Sequence, residues 1–140
     1  METLSRRIFE EIWNYRNLAV IDELFAPDYV HHDPQSPDVV DGVEGYRRFV
    51  QRYLTAFPDI HIAIHDEIAT GSTVVTRWTA LGTHNGDLPG IPRTGRSISV
   101  SGITIARTRY GKIVESWNNW DALGMMRQLG AALQVTDRAA

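Results

Sequence analysis

Residues 97–120 read SISVSGITIARTRYGKIVESWNNW, and this stretch decides the fold. Its first half is rich in β-branched residues, Tyr110-Gly111-Lys112 in the middle has the composition of a tight turn, and the remainder is again suited to a strand. The stretch therefore predicts two long antiparallel strands. The alternation of apolar and polar residues slips by one position across Gly102, which predicts a β-bulge that bends the sheet there.

The segments on either side of this stretch complete an α+β pattern. Two earlier segments also have the composition of strands, whereas apolar residues near both ends of the chain recur every three to four positions, as in helices. The predicted helices cover residues 3–16, 17–25, 41–57 and 122–133, and the predicted strands cover 60–65, 73–83, 97–109 and 113–120. Helices segregated from a strongly curved antiparallel sheet define the α+β class. We expect one domain over residues 1–140, with a loose tail from about residue 131.

The composition excludes several classes of protein. The chain has 140 residues and no cysteine, so disulfide frameworks, thiolate nucleophiles, cysteine-bound zinc and iron–sulfur clusters are excluded. A net charge of −3 provides no basic surface for nucleic acid, and no glycine-rich nucleotide loop is present. The first residues carry charges where a signal peptide is apolar, and no apolar run reaches the roughly 18 residues of a membrane helix. These features predict a soluble, cytoplasmic protein without nucleic-acid or membrane partners.

Asp121 is the first candidate for chemistry, because it ends the last predicted strand beside two tryptophans. Strand geometry places Glu115, Trp117, Asn119 and Asp121 on one face. A buried carboxylate in such surroundings is suited to take up and return a proton at neutral pH. Aspartate is also a favoured N-cap, and Asp121 directly precedes the last helix, so the pattern fits a helix cap equally well.

The histidines form the second group of candidates. In YVHHDP, residues 29–34, an extended chain turns His31 and His32 to opposite faces, so at most one of them enters a given cavity. His32 is considered either as a catalytic or substrate-binding group, or as a structural histidine bonded to a backbone carbonyl. His61 and His65 would lie about 13 Å apart on a strand, too far for one metal ion, and no metal site is predicted.

Aromatic side chains supply an apolar lining. Most aromatic residues at helical spacing belong to a core, yet helices laid into a bent sheet can leave an apolar cavity for a small molecule. The expected walls of that cavity are Trp13, Phe49, Tyr53, Trp78 and Trp117. Trp117 and Trp120 have opposite parity, so the last strand is covered on both faces, one by the cavity and the other by a dimer contact.

Three runs of sequence, in order along the chain, resemble one family. They are GVEGYRRFVQRYLTAFPDI (42–60), GTHNGDLPGIPRTGR (82–96) and GKIVESWNNWDALGMMRQLG (111–130). The chain is similar to the SnoaL-like polyketide cyclases (ester cyclase-like) of the nuclear-transport-factor-2-like superfamily. The resemblance covers about residues 4–130. It implies an α+β cone, in which a curved antiparallel sheet surrounds a pocket closed by N-terminal helices, and usually a homodimer through the outer face of the sheet.

The resemblance also implies a reaction. In characterised cyclases of this group, a carboxylate at the end of the last strand is the acid/base of an intramolecular aldol condensation, and no metal or organic cofactor is used. That carboxylate matches Asp121, and its histidine helper matches His32. One position departs from the family. Many relatives carry a histidine on the third strand where this chain has Thr104, which removes one titratable group from the expected pocket.

The sequence thus predicts a cofactor-independent acid/base enzyme that acts on a hydrophobic, carbonyl-bearing small molecule. Asp121 is predicted as the acid/base, with His32 and Asn119 as hydrogen-bonding partners and Thr104 in the pocket. Two alternatives stay open. One is attack of water on an epoxide or a double bond, with the water held by Asn118, Asn119 and Asp121. The other is a non-catalytic ligand-binding or dimerisation module in which Asp121 only caps a helix.

Overall fold

A curved five-stranded sheet forms the frame of the protein, and the structure, a computed structural model, describes residues 3–131. The strands are β1 (Phe25–His32), β2 (His61–Thr70), β3 (Thr73–Thr83), β4 (Ser97–Arg109) and β5 (Lys112–Trp120). They lie side by side in the order β1-β5-β4-β3-β2. β1 runs parallel to β5, and the other neighbours are antiparallel. The predicted α+β class is confirmed.

Helical segments pack against one face of this sheet. They are α1 (Leu4–Arg7), which continues into a π-helical segment (Ile8–Asn14), a 3₁₀ turn (Leu18–Val20), α2 (Ile21–Leu24), α3 (Val43–Ala56) and α4 (Ala122–Gln128). In the aromatic stripe of α3, Tyr46 and Phe49 are buried and Tyr53 is partly buried, as the spacing predicts. Trp13 packs edge-on against Phe49, with 5.9 Å between the ring centroids, and donates a hydrogen bond of 3.1 Å to Tyr46 Oη. These contacts join the N-terminal helices to α3 over the sheet.

The prediction of four strands is wrong, because residues 25–32 form a fifth. Helix α2 ends at Leu24, and β1 begins directly at Phe25. The sequence pattern did not indicate this strand because the strand contains Pro27. Proline has no N–H for a central strand's hydrogen bonds, but it is tolerated on an edge strand. β1 is such an edge strand, paired with β5 alone.

The predicted β-bulge at Gly102 is also wrong. β4 pairs with β3 without a register shift from Ser97 to Arg107, and its burial alternates regularly across Gly102. Ile103 and Ile105, whose apolar character suggested the slip, point to the outer face and are 46% and 37% exposed. The pairing register shifts elsewhere, once each between β1 and β5, β2 and β3, and β4 and β5.

Position 102 holds a glycine because there is no room for a side chain there. A Cβ atom there would lie 2.4 Å from the Trp78 ring and 2.8 Å from Trp120 Cβ. Two tryptophans on the neighbouring strands therefore approach the backbone of β4 from the concave side, where no side chain fits.

The last helix is shorter than predicted. α4 ends at Gln128, and Gly130 has a φ of +72°, the left-handed conformation that commonly follows a helix. Residues 132–140, the larger part of the predicted tail, lie outside the described residues. Within residues 3–131, no helix is long and apolar enough to cross a membrane.

Candidate active site

An apolar cavity lies between the helices and the concave face of the sheet. Four of the five predicted wall residues line it, and so does the predicted pocket residue on β4: Trp13, Phe49, Tyr53, Trp78 and Thr104. The fifth predicted wall residue, Trp117, is not part of the lining. Trp120, at the end of β5, lines the cavity instead.

The polar groups of the cavity are concentrated on three adjacent strands. They are Tyr29 and His31 of β1, Ser116 and Asn118 of β5, and Thr104 of β4. Because β1 runs parallel to β5, His31 lies opposite Ser116, and the antiparallel pairing of β4 with β5 sets Thr104 opposite Asn118. The cavity therefore has one polar side, while the rest of its wall is mainly aromatic and aliphatic, with Ser5 of α1 as a further polar residue.

His31 lines this cavity and has one ring nitrogen without a hydrogen-bond partner within residues 3–131. Its Nδ1 lies 2.9 Å from Tyr29 Oη, and its Nε2 is buried without a hydrogen-bond partner among the described residues. The ring packs against Phe49 and Tyr46, with 4.7 Å and 5.9 Å between ring centroids. Burial lowers the pKa of His31 below its ordinary value, so the imidazole is neutral at pH 7. A neutral imidazole of this kind can accept or donate a proton at Nε2.

Tyr29 connects His31 to Ser116. The Tyr29 side chain is fully buried, and its hydroxyl forms hydrogen bonds to His31 Nδ1 and Ser116 Oγ. Burial raises the pKa of Tyr29 well above its ordinary value, so the phenol keeps its proton. Tyr29 is therefore a neutral hydroxyl held between two groups of the cavity.

A second set of hydrogen bonds fixes the side chain of Asn118. Trp78 Nε1 donates to Thr104 Oγ1 at 2.9 Å, and Thr104 Oγ1 donates to Asn118 Oδ1 at 2.8 Å. Asn118 Nδ2 and Trp120 Nε1 both donate to Asp33 Oδ2, each at 3.1 Å. Asp33 is buried, so its carboxylate is a fixed acceptor at the end of this set. Thr104 serves as a neutral link between Trp78 and Asn118.

Asp121 is not among the residues that line the apolar cavity, and it lines an adjoining cleft that shares Tyr53, Trp120 and Met125 with the cavity. Its Oδ1 accepts a hydrogen bond of 2.8 Å from the backbone N–H of Gly124, and the side chain is exposed. It thus forms the N-cap of α4, one of the two roles that its position predicts. The reason is local: Trp120 occupies the inward position at the end of β5, and the chain turns into the helix at the next residue.

His32 and Asn119 also lie away from the cavity. His32 Nε2 is 2.7 Å from Glu115 Oε2, and its ring stacks on Trp117 with 5.1 Å between centroids. Asn119 is exposed, and Arg107 lies over the Trp117 ring at 5.0 Å. Residues 115, 117 and 119 do share one face, as predicted, but it is the outer face of the sheet. The histidine that faces the cavity is His31, and the rule that His31 and His32 point to opposite faces could have identified it.

The fold and the site together define a class of protein. A curved α+β sheet closed by helices around an apolar cavity, with a few polar groups on one side, is typical of proteins with a small-molecule site. The SnoaL-like polyketide cyclase model matches residues 3–129, and this chain belongs to the SnoaL-like polyketide cyclase family. The family resemblance of the sequence is confirmed.

Individual relatives agree with this assignment. The chain is 30% identical over 112 residues to aklanonic acid methyl ester cyclase DauD of Streptomyces sp. (strain C5), which covers 79% of this chain and 67% of that protein. It is similar in structure to TsrD from Streptomyces laurentii, with a TM-score of 0.83, 31% identity, and coverage of 92% and 93% of the two chains. Wild-type IdmH from Streptomyces antibioticus gives a TM-score of 0.79, 33% identity, and coverage of 91% and 96%.

Proposed function

We propose that this protein is a cofactor-independent cyclase that closes a ring by an aldol-type reaction on a hydrophobic, carbonyl-bearing small molecule, with His31 as the acid/base. The observation that supports it best is the buried Nε2 of His31, which has no partner among residues 3–131 although its ring lines the cavity. An unsatisfied buried polar atom costs free energy, roughly 1–3 kcal/mol. A substrate proton or oxygen bound at Nε2 would remove that cost.

The surroundings of His31 suit removal of a proton next to a carbonyl group. The pKa of His31 is lowered by burial, so the ring is unprotonated at neutral pH and ready to act as a base. Ser116 and Asn118 are neutral groups on the same side of the cavity, close enough in the sheet to bind the carbonyl oxygen of the same molecule. Aromatic walls opposite them would hold a flexible substrate folded, so that its two reacting carbons meet.

The geometry favours His31 over Asp121 as the acid/base. Asp121 Oδ1 is engaged with the Gly124 N–H, and the carboxylate is not among the groups that line the apolar cavity. The water-attack alternative relied on Asn118, Asn119 and Asp121, of which only Asn118 lines the apolar cavity, while the other two are exposed. For these reasons His31 replaces Asp121 in the proposed mechanism.

DauD suggests the kind of substrate to test first. Its name identifies it as a cyclase of aklanonic acid methyl ester. We therefore infer a polyketide-type substrate with several carbonyl groups for this protein, and that compound is a suitable first probe. Ring closure is followed by liquid chromatography with mass spectrometry.

The test compares His31→Gln with His61→Gln, which changes an exposed histidine on β2. Loss of a general acid/base costs on the order of 10²–10⁴-fold in rate, and we expect His31→Gln to fall in that range. His61→Gln is expected to retain wild-type turnover. Full turnover by folded His31→Gln would overturn the assignment, and tight binding without turnover by the wild-type protein would favour the binding module.

We also propose that the protein forms a homodimer through the outer face of its sheet. That face carries apolar side chains that are exposed in one copy, among them Leu81, Ile103 and Ile105. Exposed apolar groups that share one surface are typical of a contact between subunits. A cytoplasmic location stays a prediction from the sequence.

A further inference from the structure

Three hydrogen-bonding groups lie in a row along the polar side of the cavity. His31 Nδ1 is bonded to Tyr29 Oη, and Tyr29 Oη is bonded to Ser116 Oγ. Both outer members, His31 and Ser116, line the cavity, and they lie opposite each other in the pairing of β1 with β5. We call these three groups the Tyr29 relay.

The two hydrogen bonds of the relay are donated in the same direction along the row, because the Tyr29 hydroxyl group has only one proton to donate. In the first direction, His31 Nδ1–H donates to Tyr29, and Tyr29 donates to Ser116. His31 Nε2 then has a free lone pair, and Ser116 has its own proton free to donate. In the second direction, Ser116 donates to Tyr29, Tyr29 donates to His31 Nδ1, and Nε2 bears the proton. His31 and Ser116 therefore present opposite hydrogen-bonding characters to a ligand in either case.

We propose that the Tyr29 relay transfers a proton between the two ends of the cavity, so that Tyr29 and Ser116 act on the substrate together with His31, and that the ligand is a molecule with two carbonyl groups, one of them enolisable. This inference rests on the proposed function and deepens it. It makes Ser116 a further catalytic residue, because its hydroxyl would touch the substrate, and Tyr29 a positioning residue that acts through its two neighbours.

The first step is an enolisation without net charge on the protein. The C–H bond next to the first carbonyl breaks, its proton goes to His31 Nε2, and its electron pair forms the C=C bond of the enol. The Nδ1 proton passes to Tyr29, the Tyr29 proton passes to Ser116, and the Ser116 proton passes to the carbonyl oxygen. Each protein group gains one proton and gives one away. A reaction in which no protein group becomes charged suits this cavity, because an isolated charge in apolar surroundings costs free energy.

The second step restores the relay. The enol carbon attacks the second carbonyl carbon, the new C–C bond forms, and the electron pair of that carbonyl goes to its oxygen, which takes the proton from His31 Nε2. The enol O–H returns its proton to Ser116, the Ser116 proton passes to Tyr29, and the Tyr29 proton passes to His31 Nδ1. The first carbonyl is regenerated, and the relay ends in its starting direction.

The experiment observes the relay directly, through the ¹⁵N NMR signals of the His31 ring, which distinguish a protonated Nδ1 from a protonated Nε2. In Ser116→Ala the Tyr29 hydroxyl keeps His31 Nδ1 as its hydrogen-bond partner, so it must donate there. We expect this variant to shift the ratio of the two tautomers toward Nε2–H by roughly fivefold, the effect of one net hydrogen bond. Ser116→Thr, which keeps the hydroxyl, is expected to restore the wild-type ratio.

Two controls make the result specific. Ser101→Ala removes an exposed serine from β4, and it is expected to leave the His31 signals unchanged. In a Tyr29→Phe background, Ser116→Ala should have no further effect on His31, because the connection between them is gone. An unchanged tautomer ratio in Ser116→Ala, or an equal effect with and without Tyr29, would overturn the relay. Loss of the proposed function appears separately, as full turnover by His31→Gln, and would leave the NMR result in place.

Discussion

Asn118 Nδ2 lies 3.1 Å from Asp33 Oδ2, so an amide on β5 is held by a buried carboxylate 85 residues earlier in the chain. Trp120 Nε1 donates to the same oxygen, and the backbone N–H of Gln35 donates to Asp33 Oδ1 at 2.9 Å. Three donors thus converge on one carboxylate. Asp33 joins the loop after β1 to the end of β5 and sets the orientation of the cavity's amide.

We predict that Asp33→Asn destabilises the protein by about 1–3 kcal/mol, because the new NH₂ group would face N–H donors in either orientation and leave a buried donor unpaired. Asp28→Asn is the matched control, since Asp28 is an exposed carboxylate on β1. Urea unfolding of both variants measures the difference. A variant Asp33→Asn as stable as Asp28→Asn would show that the three hydrogen bonds contribute no net stability.

A second prediction separates the two roles of Asp121. The Oδ1 bond to the Gly124 N–H is an N-cap, and its removal in Asp121→Ala should cost about 1 kcal/mol of unfolding free energy. Asp121→Ser keeps a capping oxygen and should recover most of that loss. We expect the serine variant to keep turnover within a few-fold of wild type. A folded, stable Asp121→Ser that loses about 100-fold or more in rate would instead establish Asp121 as the acid/base.

Periodicity predicted where the strands lie better than it predicted which side chains of each strand face the concave side of the sheet. The spacing of Glu115, Trp117 and Asn119 correctly places them on one face of β5. Both faces of that strand carry a tryptophan, Trp117 outside and Trp120 inside, so hydrophobicity alone does not identify the inner one. The choice of His32 over His31 came from the family resemblance, which matched the histidine helper to His32.

The supporting groups of the site could not be predicted from spacing. Tyr29 meets Ser116 across 87 residues, and Asp33 meets Trp120 across the same separation. Such contacts depend on the parallel pairing of β1 with β5. The sequence did not predict β1, because Pro27 lies near its start. The family resemblance predicted the cone and its pocket. The hydrogen bonds inside the pocket could not be predicted, because they depend on the fifth strand, which the sequence did not indicate.

A third prediction concerns Gly102. In Gly102→Ala, the new methyl group would lie 2.4 Å from the Trp78 ring, and both tryptophans that enclose the glycine would have to move. Overpacking of this kind typically costs about 1–3 kcal/mol, and we expect a loss in that range. Ser101→Ala, one position away on the exposed side of β4, should change stability by less than about 0.5 kcal/mol. Equal melting of the two variants would contradict the predicted collision.

A fourth prediction tests the proposed homodimer. Ile103 is 46% exposed on the outer face of β4, and a carboxylate at the centre of an apolar contact should disrupt it. We expect wild-type protein to elute as a dimer and Ile103→Asp as a folded monomer in size-exclusion chromatography with light scattering. Val40→Asp changes an apolar residue that is 60% exposed and lies in the loop between β1 and α3, and this variant should remain dimeric. A monomeric wild-type protein would refute the proposal.

The last prediction concerns pH. Burial lowers the pKa of His31 below its ordinary value of 6.5, although the carboxylates of Asp33 and Asp41 offset part of the effect. The unfolded chain therefore takes up a proton on His31 at a higher pH than the folded protein does. Between pH 6.5 and the lowered pKa the unfolded state binds more protons, so the free energy of unfolding falls as the pH is lowered, by at most about 1.4 kcal/mol per pH unit.

Below the lowered pKa both states are protonated, and this contribution changes no further. His31→Gln removes the difference in proton binding, so its stability should fall less between pH 7.5 and 5.5 than that of the wild type. His61→Gln, at an exposed position, should keep the wild-type dependence. Urea unfolding at the two pH values measures all three proteins. If wild type and His31→Gln lose the same free energy on acidification, His31 is not buried in the neutral form that the proposed mechanism requires.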